Sequence, residues 1–231
     1  MNKIVITLAA LAACVSLRAQ EPASSYSVTV DFPYTSKYVF RGNQLASDSF
    51  QPSVEVASGN WYAGLWTNLP IERVDKSLVE NEIDFYAGYG IPLSDTWSID
   101  TGVTYYYYPE KTAGSGIEDT TEFFVGLTGT LAGFTPSFYS YYDIDRKAWT
   151  FQAAAGYSVS LSDKASLDFS ATLGRVDTDG GSDYTYYGAG AVLPYKLNDS
   201  ATLNFGVQWA TTNFDDADDE IWATTGITIG F

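Results

Sequence analysis

Seven acidic residues, Asp31, Glu55, Glu82, Asp84, Asp100, Glu122 and Asp168, recur at one parity of short alternating runs whose other parity is apolar. Lys37 and Arg41 share the parity of Asp31 if the first of these runs continues to Gly42. Carboxylates gathered on one side of a set of strands concentrate cations, an effect that salt screens over ~8–10 Å. Two readings are open. One is a charged constriction that selects solutes. The other is an ion network filling a closed interior, because buried polar groups need partners whether or not anything passes. Acid–base catalysis fits poorly. The chain has no histidine, which excludes Ser-His-Asp triads, His-ligated zinc and the histidine-dependent hydrolases of bacterial outer membranes. No Ser, Asp or Tyr stands at a defensible spacing from a general base. The expectation is therefore no enzyme, no cofactor and no metal.

Two further acidic stretches carry less. Asp215-Asp216-Ala217-Asp218-Asp219-Glu220 has oxygens enough for a divalent ion but reads as a solvated loop. Asp177-Thr178-Asp179-Gly180-Gly181 begins like a calcium loop, yet Gly181 stands where a third acid is needed and no matching glutamate follows.

The elements that carry these charges are strands. Period-two alternation places successive side chains on opposite faces. One face reads Val28, Val30, Phe32, then Val54, Val56, and later Phe123, Val125, Leu127 and Phe205, Val207, Trp209; the other holds the acids with Ser, Thr, Asn and Gln. Three turns share the form Leu-(Ser/Asn)-Asp-x: Leu93–Thr96, Leu161–Lys164 and Leu197–Ser200. Ser, Asn and Asp fold back on the local backbone and favour tight turns. Gly59 and Gly133 mark two more, and the five markers lie 30 to 38 residues apart. Between them run longer polar connections: 42–49, 70–79, 110–119, 143–147, 177–183 and 213–219. Five short turns alternating with six long loops predict about twelve strands with both chain ends on the short-turn side. That is the layout of an all-β, transmembrane, up-and-down antiparallel barrel whose first strand pairs with its last. A soluble sandwich would bury the apolar face instead, and alternation alone does not separate the two.

Composition and termini favour the membrane. Aromatics make up 16% of the chain, with 18 Tyr and 6 Trp, as suits a protein whose amphipathic rings sit at membrane interfaces. Residues 1–19 read as a secretory signal peptide: a basic start at Lys3, an apolar stretch from Ile4 to Val15, and a small residue, Ala19, at the cleavage point. Leu11-Ala12-Ala13-Cys14 also matches a lipobox, so lipidation at Cys14 is the alternative to cleavage near Ala19. Cleavage near Ala19 removes Lys3 and Arg18 and no acid, leaving 10 basic against 28 acidic residues. It also removes the only cysteine, so disulfides are not expected. A chain this acidic repels nucleic acid. No later run of ~18 apolar residues follows, so a span must be made of strands. Residues 20–231 then form one barrel domain. Its final strand alternates through Ile227, Ile229 and Phe231 and resembles the C-terminal signal by which barrels enter the outer membrane. The partners expected are outer-membrane lipid, the barrel assembly machinery, and small solutes or ions.

Three segments are distinctive together: Ser36-Lys37-Tyr38-Val39-Phe40-Arg41-Gly42, Asn60–Trp66, and Glu82-Ile83-Asp84-Phe85-Tyr86-Ala87-Gly88-Tyr89. With Tyr105–Pro109 and Thr121-Glu122-Phe123, the set resembles the TorF family of porins, firmly over residues 26–130 and more weakly beyond. The resemblance implies an outer-membrane barrel and names no substrate. A passive, cation-preferring porin for small hydrophilic solutes or ions is the reading carried forward. The alternative is a non-conducting structural or adhesive barrel whose lumen is filled by inward Tyr62, Trp66, Tyr86, Tyr106 and Tyr139.

Overall fold

A computed structural model describes residues 26–71, 81–111, 117–215 and 218–231. The leader with Cys14, and parts of the connections 70–79, 110–119 and 213–219, lie outside the described residues. The strands are β1 (Ser27–Thr35), β2 (Tyr38–Phe40), β3 (Asn43–Ala46), β4 (Ser49–Phe50), β5 (Ser53–Ser58), β6 (Trp61–Pro70), β7 (Glu82–Pro92), β8 (Trp97–Tyr107), β9 (Thr120–Gly129), β10 (Phe134–Asp143), β11 (Ala148–Ser160), β12 (Ser166–Thr178), β13 (Tyr184–Lys196), β14 (Ala201–Thr212) and β15 (Glu220–Gly230).

Each wall strand pairs antiparallel with its neighbour in sequence, and β15 returns to β1 from Thr29↔Gly230 to Thr35↔Thr224. β4 and β5 are two halves of one wall strand, interrupted at Gln51-Pro52. The result is a closed barrel of twelve antiparallel strands, matching the expected count and closure. Closure removes the exposed edges that an open sheet would leave unpaired in lipid.

The repeated turn has a common mechanism. Ser94 Oγ accepts the Thr96 and Trp97 amides, and Ser162 Oγ accepts the Lys164 and Ala165 amides. Asn198 Oδ1 accepts the Ser200 amide. In all three the Leu amide donates to the carbonyl four residues on: Leu93 to Trp97, Leu161 to Ala165, Leu197 to Ala201.

Burial separates the barrel from a sandwich. Phe85, Phe123, Val125, Phe151, Phe169, Phe205 and Val207 are exposed, whereas Glu82, Asp84, Asp100, Glu122 and Asp168 are buried. An apolar face turned outward around a charged interior suits a lipid solvent and no aqueous one. The interior core is aromatic: Tyr62, Tyr86, Phe124, Tyr139 and Tyr141 pack together inside the barrel. Two of these rings lie on backbone. Tyr62 pairs with Gly88 and Tyr86 with Gly64 across β6 and β7. A Cβ at Gly88 would stand 2.2 Å from the Tyr62 ring, and one at Gly64 would stand 2.4 Å from Tyr86.

The largest departure from the sequence reading is at the end of β1. Pro33 stays in the ladder because it faces Gly226, where a Cβ would stand 2.6 Å from the Pro33 Cα. The strand then ends at Thr35 instead of running to Gly42. Ser36 closes it by donating its amide to Ala223 O and accepting the Ala223 amide on Oγ, and Thr35 Oγ1 caps Lys37 O. From there β2 and β3 form a small hairpin that pairs only with itself and folds into the lumen, where Tyr38, Val39 and Ala46 are buried. Its tip, Arg41-Gly42, has positive φ at both residues, +48° and +82°, as a two-residue hairpin turn requires. Gly42 lies against Thr211 O, Thr212 and the Tyr186 Cβ, all within 3 Å of where its own Cβ would be.

Candidate functional site

The lumen has two layers of charge, and different chemistry stabilises each. In the layer toward the short turns, carboxylates are held by hydroxyls. Asp100 on β8 accepts from Tyr62 and Tyr139, each at 2.8 Å. Glu55 on β5 accepts from Tyr86 at 3.1 Å, and Asp168 on β12 accepts from Ser158. Asp31 on β1 accepts from Thr228 of β15 and, more weakly at 3.4 Å, from Ser53. Each hydroxyl supplies one donor, and the tyrosines on Asp100 and Glu55 supply ring area as well, so these four carboxylates are partly satisfied without a cation. Among the described residues no ion pair reaches any of them.

The layer toward the long loops contains the hairpin. Glu82 and Asp84 are two residues apart on β7 and therefore share a face; they are 1% and 3% exposed. Tyr108 donates to Glu82 Oε1 at 3.0 Å, and Tyr38 of the hairpin lies beside Glu82 and packs on Trp66 with centroids 5.4 Å apart. Glu122 on β9 accepts from Tyr106 at 3.1 Å and from Arg41 Nη2 at 2.8 Å. The Arg41 guanidinium also lies over Tyr141, 5.1 Å from the ring centroid. Lys37 reaches no acid in the lumen interior; it sits at the rim, paired with Glu220 of β15 at 2.7 Å. Sequence parity put Lys37 and Arg41 on a continued first strand. The structure brings Arg41 to Glu122 by the turned-in hairpin, and the strand register plays no part in it.

Several of the described loop acids pair locally. Asp177 and Asp183 both bind Arg175, at 2.5 and 3.1 Å, and Asp183 accepts the Thr178 amide. Asp143 accepts the Asp145 and Arg146 amides. Lys111 donates to Asp119, which also accepts the Tyr108 amide. Partial burial pushes the Asp119 carboxyl up, but the Lys111 bond and the Tyr108 amide outweigh it and hold it below its ordinary range.

The inner wall is uneven. Rings and acids crowd β6 to β10. Across from them, β11 to β15 turn Ala154, Ser170, Thr172, Gly188, Gly190 and Thr224 inward, all small and only half-buried. Small side chains thus line much of the β11–β15 wall; Tyr184, Tyr186 and Trp222 share its inward parity, and the hairpin tip covers its loop-side end at Thr212 and Tyr186. Phe124, Tyr108 and Tyr141 were missed as interior residues. Their parity with Glu122, Tyr106 and Tyr139 was readable, and polarity hid it. The hairpin also had a signal, Arg-Gly between two short alternating pieces, that the long-loop reading passed over.

The fold is that of outer-membrane porins. It is similar to the KdgM porin, with a TM-score of 0.59 at 10% identity over 88% of this chain and 99% of that one. It is similar to the NanC porin, at 0.57 and 14% over 87% and 98%. An outer-membrane channel from Pseudomonas putida F1 aligns at 0.54 and 10% over 92% and 97%. No curated protein matches the sequence. The sequence itself matches a family over residues 19–226, nearly the whole described barrel, and the chain belongs to that family, described as "Bacterial protein of unknown function (Gcw_chp)".

Proposed function

We propose that this protein is an outer-membrane porin that passes small hydrophilic solutes or ions by diffusion and prefers cations. The observation that carries the reading is the charge imbalance of the lumen. Asp31, Glu55, Glu82, Asp84, Asp100, Glu122 and Asp168 face inward; among the described residues Arg41 pairs with Glu122, and Arg146 lies within electrostatic reach of Glu82, so acids outnumber bases there. Carboxylates in a narrow, partly dehydrated passage raise the local cation concentration. One KdgM porin structure is a complex with disordered oligogalacturonate, a polyanion. The lumen of the present barrel would repel such a solute, so a shared fold goes with an opposite charge preference.

Reversal potentials in a salt gradient across a planar bilayer test this. Cation selectivity is expected, strongest at low salt, and the double substitution Glu82→Gln, Asp84→Asn should reduce it. Anion selectivity would overturn the role given to the acids. The alternative, a non-conducting structural or adhesive barrel, is favoured by the seated hairpin and the packed tyrosines; absence of conductance under all conditions would make it the better reading.

Assembly is a separate role. Ile227, Ile229 and Phe231 lie on the lipid side of β15, and Phe231 is bound to Val28 through both its amide and its carbonyl. We assign these residues to recognition by the barrel assembly machinery. Deleting Phe231 should lower the amount of heat-modifiable barrel in the outer membrane at native expression; unchanged insertion would refute the assignment. Export by the 1–19 leader with cleavage near Ala19, in place of lipidation at Cys14, is part of the same proposal. The mass of the mature chain decides it.

A further inference from the structure

The seated hairpin reveals what the loop-side half of the lumen can hold. Arg41 stands at the tip of the hairpin, where the two-residue turn sets its φ at +48° and presents its side chain to the wall. Its guanidinium meets one carboxylate, Glu122 at 2.8 Å, and lies over two rings, that of its neighbour Phe40 at 4.7 Å and that of Tyr141 on the wall at 5.1 Å. Guanidinium is planar, rich in donors and weakly hydrated, which suits it to such a seat. The seat has capacity to spare. Glu82 and Asp84, each with a side chain at least nine-tenths buried, lie against one another, and Glu82 Oε2 and Asp84 Oδ1 meet no N–H or hydroxyl donor among the described residues. Tyr106 lies within electrostatic reach of Arg41, Glu82, Asp84 and Glu122 together. Among the described residues three carboxylates thus share one pocket with Arg41 seated between them, and Arg146 lies within electrostatic reach of Glu82.

We propose that this pocket is a binding site for an organic cation bearing a guanidinium group and a second positive end, and that Arg41 is an internal stand-in for it. The solute's guanidinium replaces that of Arg41 on Glu122 and Tyr141. Its second cationic end takes the unpartnered oxygens of Glu82 and Asp84. Losing its anchor, the hairpin tip is free to leave the β11–β15 wall. The site names the solute class of the porin reading, yet binding to it does not require conduction.

The test uses the purified full barrel in detergent and agmatine, a guanidinium compound with an ammonium at its far end, followed by titration calorimetry. Arg41→Ala vacates the seat and should bind agmatine at least about tenfold more tightly than the wild-type protein, in which Arg41 competes. Adding Glu122→Gln to Arg41→Ala should weaken binding by at least about tenfold, since the charge-assisted bond is lost. Tetramethylammonium at equal ionic strength, which has charge and no N–H donors, should not compete. Should Arg41→Ala fail to fold, a chain with Tyr38–Ala46 replaced by a Gly-Ser bridge exposes the same pocket. Equal agmatine affinity in wild type and the vacated barrel, indifference to Glu122→Gln, or full competition by tetramethylammonium each overturns the proposal. A barrel that conducts and does not bind agmatine sinks the site alone. One that binds agmatine and never conducts keeps the site and sinks the porin reading.

Discussion

Replacing Tyr38–Ala46 by a short Gly-Ser bridge is expected to raise single-channel conductance at least about fivefold, the hairpin being the main obstruction in the lumen of a twelve-strand barrel. The wall should survive the change. β2 and β3 pair with each other and with no wall strand, and β1 reaches β4 and β5 without them. What is lost is the occupant: Tyr38 against Trp66, Phe40 against Tyr106 at 6.2 Å, and the Arg41–Glu122 pair. Arg41→Ala alone should give a smaller and noisier increase, because the hairpin keeps its aromatic anchors and loses only its tip. The change also removes one positive charge from the lumen, so cation preference should rise with conductance. Planar-bilayer recordings of the three proteins, after heat-modifiability has shown each to be folded, provide the comparison. Equal conductance in all three would mean that the hairpin does not lie on the path of ions.

Val207→Arg is expected to destabilise the barrel by ~2–4 kcal/mol, the range for a basic side chain near mid-membrane on the lipid face of a barrel. Val207 is 59% exposed on β14, between Ala191 and Ala223 on the neighbouring strands. In water such a substitution on an exposed residue would cost almost nothing. The control is Thr172→Arg on β12, which places the same charge on the inner wall, between Ala154 and Gly188 and across the lumen from the crowded acidic side. It should cost much less. Reversible urea unfolding in lipid vesicles measures both. Equal penalties, or a negligible one at Val207, would contradict the outward orientation of the apolar face and with it the membrane reading.

The wall was legible in the sequence because a barrel strand repeats one simple constraint. Lipid demands an apolar residue at every second position, and Phe123, Val125 and Phe205, Val207 obey it while Glu122 and Gln208 take the opposite parity. The turns were legible because Ser94, Ser162 and Asn198 each bond their own backbone, a local interaction that needs no knowledge of the fold. The interior was less so. Inside a barrel both polar and apolar side chains are tolerated, so Phe124 and Tyr141 carry no mark that separates them from the lipid face except parity. The hairpin was hardest. Its seating depends on Glu122, 81 residues away, and on Thr212 and Tyr186, which no local pattern connects to Arg41. Parity placed Arg41 in the lumen, but the assumed route, a strand continued past Thr35, was incorrect. Ser36 ends that strand through Ala223, a partner at the opposite end of the chain.

That last partnership orders events during assembly. The stem of the hairpin is fixed by Ser36 to Ala223 and by Lys37 to Glu220, residues 187 and 183 positions later in the chain. Both belong to β15, the strand that completes the circle against β1. Until β15 arrives, the stem lacks both of these bonds, and the hairpin keeps only its contacts inside, Tyr38 on Trp66, Phe40 on Tyr106 and Arg41 on Glu122. Sealing the circumference and locking the stem thus fall in one step. A chain stalled before its final strand has a gap in its side and a hairpin held by its far end alone, so the last strand finishes the wall and what lies inside it together.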